Sequence, residues 1–141
     1  MAVIEAIATQ YLEADAASVT FSSIPATYEH LQLRWSTRGV TTSFHSPDVY
    51  VRFNSDTGGN YSTHYMSGSA TNISAPVATG ATSMNWGGAS GSYGSSQAAA
   101  YGSLVADILD YANTNKNTTV QFPAGVINAE TSVIRFGSGL W

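Results

Sequence analysis

Apolar and polar residues alternate without a break through His30 to Ser36 of HLQLRWST, residues 30–37. Leu31, Leu33 and Trp35 fall on one side, and His30, Gln32, Arg34 and Ser36 on the other. A side-chain period of two belongs to extended chain, so this stretch predicts a strand with one face on a core. The same period returns around VRFNSDTGGNYSTHY. Val49, Val51 and Phe53 alternate with Tyr50 and Arg52, and Tyr61, Thr63 and Tyr65 alternate with Ser62, His64 and Met66. Two alternating runs joined by a polar, glycine-containing loop predict a β-hairpin, with Leu31, Leu33, Trp35, Val51 and Phe53 in one core.

Shorter strands are expected at SVTFSSI (Val19 and Phe21 on one face), TTVQFPAG and TSVIRFGSG. The run from residue 98 to 112 supports two readings. Tyr101, Leu104, Val105, Ile108 and Leu109 form a helical stripe, yet Leu104–Leu109 is also a buried strand entered through Gly102. Six or seven short strands separated by Gly-, Ser- and Asn-rich loops predict an all-β fold, an antiparallel β-sandwich or jelly-roll-like single domain over 1–141. Residues 1–17 are expected to be an N-terminal arm or edge strand, and 67–97 a Gly/Ser-rich loop region.

The loop contains Asp56-Thr57-Gly58, the tripeptide of aspartic proteases. That chemistry needs two carboxylates sharing a proton. No second such motif occurs, and Asn54, Ser55, Gly59 and Asn60 make the surroundings polar. The expected role of Asn54, Asp56, Gly58, Gly59 and Asn60 is a structural turn, with the asparagine and aspartate side chains bonding their own backbone and the glycines supplying positive φ. Asp56→Asn is then expected to be nearly silent. Asn54, Asp56 and Asn60 offer too little charge for Ca²⁺. His30, His45 and His64 lack metal-ligand spacing. Asp107 and Asp110 would face opposite ways on a strand, and GASGSYG lacks the strand–turn–helix context of a nucleophile elbow. The expectation is no catalytic residue, no cofactor and no metal: not an enzyme.

Charge separates the remaining classes. Only 10% of the 141 residues are charged, against roughly 25% in ordinary soluble domains, and the net charge is −4. Five basic residues give no footprint for nucleic acid and no cluster for a membrane surface. No apolar run is long enough to span a bilayer, and with no cysteine there is neither disulfide nor thiolate site. So little charge suits a chain that lives against other copies or a lattice.

Two blocks carry a family resemblance. FSSIPATYEHL (Phe21–Leu31) and RFNSDTGGNY (Arg52–Tyr61) resemble a recurring small all-β protein of tailed bacteriophages, common in marine and cyanobacterial phages; LVADILDYANTNK also resembles it and reads there as a strand. The resemblance implies a virion structural protein, assembled in the bacterial host cytoplasm. Its most concrete form is a capsid decoration (cement) protein that stabilises the head. The alternative is a tail-fibre or head-fibre module that binds a carbohydrate receptor through Tyr50, Tyr61, Tyr65, Trp86 and Tyr93. The implied partners are copies of itself, as a homotrimer, and the major capsid protein or another virion protein, with a glycan as a further ligand. Such proteins run on beyond a segment like GSGLW, whereas this sequence ends at Trp141. Either the sequence is a shortened form or its sheet is completed by another copy; Trp86, Tyr93, Leu140 and Trp141 are expected at the interface.

Overall fold

A computed structural model describes residues 4–39, 48–69, 71–86, 101–127 and 132–141, which are all-β with no helix. The strands are β1 (His30–Thr37), β2 (Tyr50–Val51), β3 (Tyr61–Ser69), β4 (Asn72–Ser74), β5 (Val77–Ala81), β6 (Met84–Asn85), β7 (Gly102–Leu109), β8 (Thr119–Ile127) and β9 (Ser132–Leu140). Seven of them form one antiparallel sheet in the order β1-β7-β8-β9-β3-β4, with β5 also pairing β3; β2 and β6 form a separate two-stranded ribbon.

One face of the large sheet is the core. Leu104, Ala106 and Ile108 from β7, Val120, Phe122 and Ala124 from β8, and Tyr61 from β3 are buried there beneath Met84 and Trp86. The side-chain alternation of each strand sends every second residue inward. Leu31, Leu33, Trp35, Val51 and Phe53 pack against this cluster as expected but stay partly exposed: the first three lie on β1, which ends the order of the large sheet, and the last two on or just after β2 of the ribbon. The ambiguous run is a strand: β7 sits between β1 and β8, where β-branched and aliphatic side chains cover an inner face.

Several sequence expectations need correction. The two runs flanking the Asp56 loop do not pair as a hairpin. Tyr50 and Val51 pair with Asn85 and Met84, while β3 pairs with β4, β5 and β9. Left-handed backbone at Asn54 (φ 51°) and Ser55 (φ 59°) turns the chain from the ribbon into the large sheet rather than back along one ladder. Within 67–97, residues 67–69, 72–74, 77–81 and 84–85 are stranded in β3, β4, β5 and β6, since ladder pairing overrides the weak strand preference of Gly, Ser and Ala; residues 70 and 87–97 lie outside the described residues. No strand forms at Ser18–Ile24: residues 4–29 hold none, and Ile4 and Tyr11 are more than four-fifths exposed. Trp141 is not at a cut edge, because β9 lies between β8 and β3.

Glycines in β9 make the core possible. A Cβ at Gly137 would stand 2.7 Å from Tyr65 Cβ and collide with Phe122 Cζ. Tyr65 Cβ is fixed to the backbone and Phe122 is buried, so neither can yield easily. Gly137→Ala is expected to cost about 1–3 kcal/mol by overpacking, read as a lower midpoint in urea with an unchanged slope.

Candidate functional site

Two features outside the core carry chemistry that could matter: the Asp56 loop and the open face of the sheet.

The loop is a carboxylate clasp. Asp56 Oδ1 accepts the Gly58 N–H at 2.8 Å, and Oδ2 accepts Asn60 Nδ2 at 2.9 Å and Trp141 Nε1 at 2.8 Å. Asp56 N–H donates to the Phe53 carbonyl at 2.9 Å, and the Tyr61 hydroxyl accepts the Phe53 N–H at 2.9 Å. The Trp141 ring stacks on Tyr61 at 6.3 Å and tilts against Phe53 at 5.3 Å, while its backbone N–H and carbonyl both bond Thr118. The far end of the sequence is thus tied to the loop between the ribbon and the sheet.

The expected turn residues do come together, in different roles. Gly58 and Gly59 do not supply positive φ; Asn54 and Ser55 do. Gly58 sits close to the clasp: a Cβ there would lie 2.8 Å from Asn60 Nδ2, so a larger residue would displace that amide. Both Asp56 oxygens face N–H donors, an arrangement that stabilises an anion and leaves them facing away from a cation's needs. Its hydrogen bonds from Asn60, then Trp141, then Gly58 hold its pKa below the usual carboxylate value. Lys116 does the same for Asp110.

The sign follows from linkage. A depressed carboxylate pKa adds stability that is complete above the unfolded value and is lost as pH falls through the folded one. Thermal stability should therefore hold near neutrality and fall below about pH 4. Asp56→Asn replaces an acceptor with an amide that donates toward Asn60 and Trp141. Contrary to the expectation from turn chemistry alone, it should lower the melting temperature at pH 7 and flatten the acid-side loss; differential scanning calorimetry across pH reads both.

The other face of the large sheet bears no layer among the described residues. Residues directly opposite on neighbouring strands share a face. Met66 stands opposite Phe136, Ile73 opposite Gly68 and Gly68 opposite Ile134, and Leu140 opposite Ser62. Phe136, Ile134 and Met66 are each about half exposed, at 50%, 53% and 54%. Toward β1 the same face turns polar: Gln32 Nε2 donates to Asp107 at 2.7 Å and Arg34 Nε to Gln32 at 2.6 Å.

Of the expected interface residues, Leu140 joins this face and is 40% exposed. Trp86 does not. It is fully buried, stacked 5.4 Å from Trp35 and 5.8 Å from Phe122, because the ribbon presses it onto the core. Trp141 is engaged within its own chain, and Tyr93 lies outside the described residues. Tyr61 is also buried, and Tyr65 lies beneath the Arg135 guanidinium at 5.0 Å, leaving Tyr50 as an exposed aromatic of the expected sugar platform.

His30 and His64 lie on strands at opposite parts of the sheet. His30 instead neighbours Glu29 and Asp110, with ligand-type atoms within 4.8 Å of one another. Two of the three residues are already engaged: His30 Nδ1 accepts the Asp110 N–H at 3.1 Å, and Asp110 pairs with Lys116. Among the described residues no helix is long and apolar enough to cross a membrane. Comparison with protein-family models, curated proteins and solved structures finds no match.

Proposed function

We propose that the chain is a non-enzymatic virion structural protein that works by binding other proteins, in its most concrete form a decoration protein holding a phage capsid together. The observation that carries this is the open sheet face, where Met66, Ile134, Phe136 and Leu140 lie exposed on neighbouring strands with few charges among them. Clustered exposed apolar side chains are characteristic of surfaces that meet another protein. The resemblance in Phe21–Leu31 and Arg52–Tyr61 supplies the setting.

On this reading the open face seats on the major capsid protein, and copies associate with one another, a trimer matching the three-fold positions of a shell. The two-layered sandwich expected from the strand pattern would be completed there, with the partner's surface as the layer over the open face. The carbohydrate reading loses support from the burial of Tyr61 and Trp86, two of the aromatics it needed. The test is binding of purified protein to undecorated heads. Phe136→Asp with Met66→Lys should abolish binding while leaving the melting temperature within a few degrees, since both side chains are half exposed. Unchanged binding would reject the open face as the docking surface.

A further inference from the structure

The whole net charge of −4 sits in the first 29 residues. Glu5, Glu13, Asp15 and Glu29 lie there without a Lys or Arg, and the rest of the chain carries five acids and five bases. The same segment is apolar. Ile4 and Tyr11 are more than four-fifths exposed, and Ile7, Leu12, Val19 and Phe21 are exposed as well. Among the described residues, 4–24 take no part in a strand. Their hydrogen bonds are two: Gln10 Nε2 donates to the neighbouring Tyr11 carbonyl at 3.3 Å, and the Tyr28 hydroxyl donates to Glu5 at 2.9 Å.

The complement of this arm is not in its own chain. Arg34 bonds Gln32, Arg52 bonds the Thr82 carbonyl at 3.0 Å, Lys116 pairs with Asp110, Arg135 pairs with Asp48, and Arg38 lies over the Tyr101 ring at 5.6 Å. The body of a second copy is likewise charge-balanced, with its bases engaged one by one, and offers no basic groove. An anionic membrane surface or a nucleic acid would repel the arm. At the root of the arm, Tyr28, Glu29, Asp110, Ala112 and Asn113 line an open pocket, and the Tyr28 hydroxyl holds Glu5 beside it. Lys116 answers Asp110 there, whereas Glu29 faces His30 at 3.8 Å.

We infer that residues 4–24 are a docking arm for a partner protein whose groove is apolar along its floor and lined with Lys and Arg. The apolar side chains supply the buried contact, and the acids choose the partner and steer it in. A segment that is not packed on its own body orders when it binds and covers a long surface with few residues. Residues 1–24 contain neither glycine nor proline, so each residue brings both a side chain and a backbone donor to the groove. Glu5 and Glu29 at the root extend the acidic surface to the pocket, where a cationic side chain of the partner can seat. The arm is a different surface from the open face of β9 and β3, and the inference does not rest on the role proposed for that face.

The probe is a synthetic peptide of alternating lysine and leucine, titrated against the full chain by fluorescence anisotropy. Binding should be saturable at low salt and weaken roughly tenfold at high salt, as screening predicts for surface charges. A peptide of alternating lysine and serine should bind roughly tenfold more weakly, because it lacks the apolar contact. Glu13→Lys with Asp15→Lys should abolish binding, and Ile4→Ser with Tyr11→Ser should weaken it several-fold. Melting temperatures should not move, since all four side chains are exposed. Phe136→Asp with Met66→Lys, on the open face, should leave peptide binding unchanged. No binding of the lysine–leucine peptide, equal binding of both peptides, or binding lost only in the open-face variant would overturn the inference. So would a wild-type oligomer in light scattering that falls to monomers on Ile4→Ser with Tyr11→Ser, because a second copy would then be what the arm binds.

Discussion

Trp86→Ala is expected to cost about 3–5 kcal/mol, the range for removing a buried large aromatic. Trp86 has no exposed surface and stacks between Trp35 and Phe122. It follows directly after β6, and its backbone N–H donates to the Val49 carbonyl at 3.0 Å, so it ties the ribbon to the large sheet. Its loss should open the core and loosen the ribbon together. Trp86→Phe should cost much less, because the indole Nε1–H has no hydrogen-bond partner among the described residues and an aromatic ring still fills the gap. Equilibrium unfolding in urea, followed through the remaining tryptophans, separates the two variants. Equal losses would mean that ring stacking does not hold the ribbon down.

Trp141→Ala is the second large effect, about 3 kcal/mol, at the low end for Trp→Ala because the side chain is only partly buried. The variant loses ring contacts to Phe53 and Tyr61 and one donor to Asp56. Trp141→Phe keeps most of the ring and loses only the donor. The Asp56 carboxylate should then titrate closer to the ordinary value, visible as a smaller acid-side loss of stability in the Phe variant than in wild type. An unchanged acid profile would show that Asn60 and Gly58 hold Asp56 without help from Trp141.

How far the sequence could be read is clearest at individual residues. β1 and the assignment of its two faces were legible because period-two alternation depends only on local geometry. Asp56 was legible as structural, since Asn, Gly and Ser around it all favour turns. Its third donor was not: Trp141 lies 85 residues away, and nothing in a turn motif signals a distant indole. The hairpin expected across the Asp56 loop failed for a related reason. Alternation says that a segment is a strand but not which strand it joins, and Val51 finds Met84 across the ribbon rather than a neighbour on β3. Trp86 was misplaced because its Gly- and Ser-rich neighbours suggest a loop, whereas its position is decided by the cavity between Trp35 and Phe122. The strand signal in Ser18–Ile24 finds no ladder among the described residues, because alternation alone does not supply a neighbouring strand.

The open face, with Phe136 and Met66 side by side, could be anticipated only once β9 and β3 were known to be neighbours. Each side chain alone is an ordinary exposed hydrophobe; together they make an apolar patch across two strands. That pairing underlies the reading of the chain as a protein that works by assembly. The most direct measurement is a cryo-electron microscopy map of phage particles carrying this chain. The account predicts density for the all-β domain on the outer capsid, with β9 and β3 turned toward the shell. Density at a fibre tip, or on the capsid with that face exposed to solvent, would contradict it.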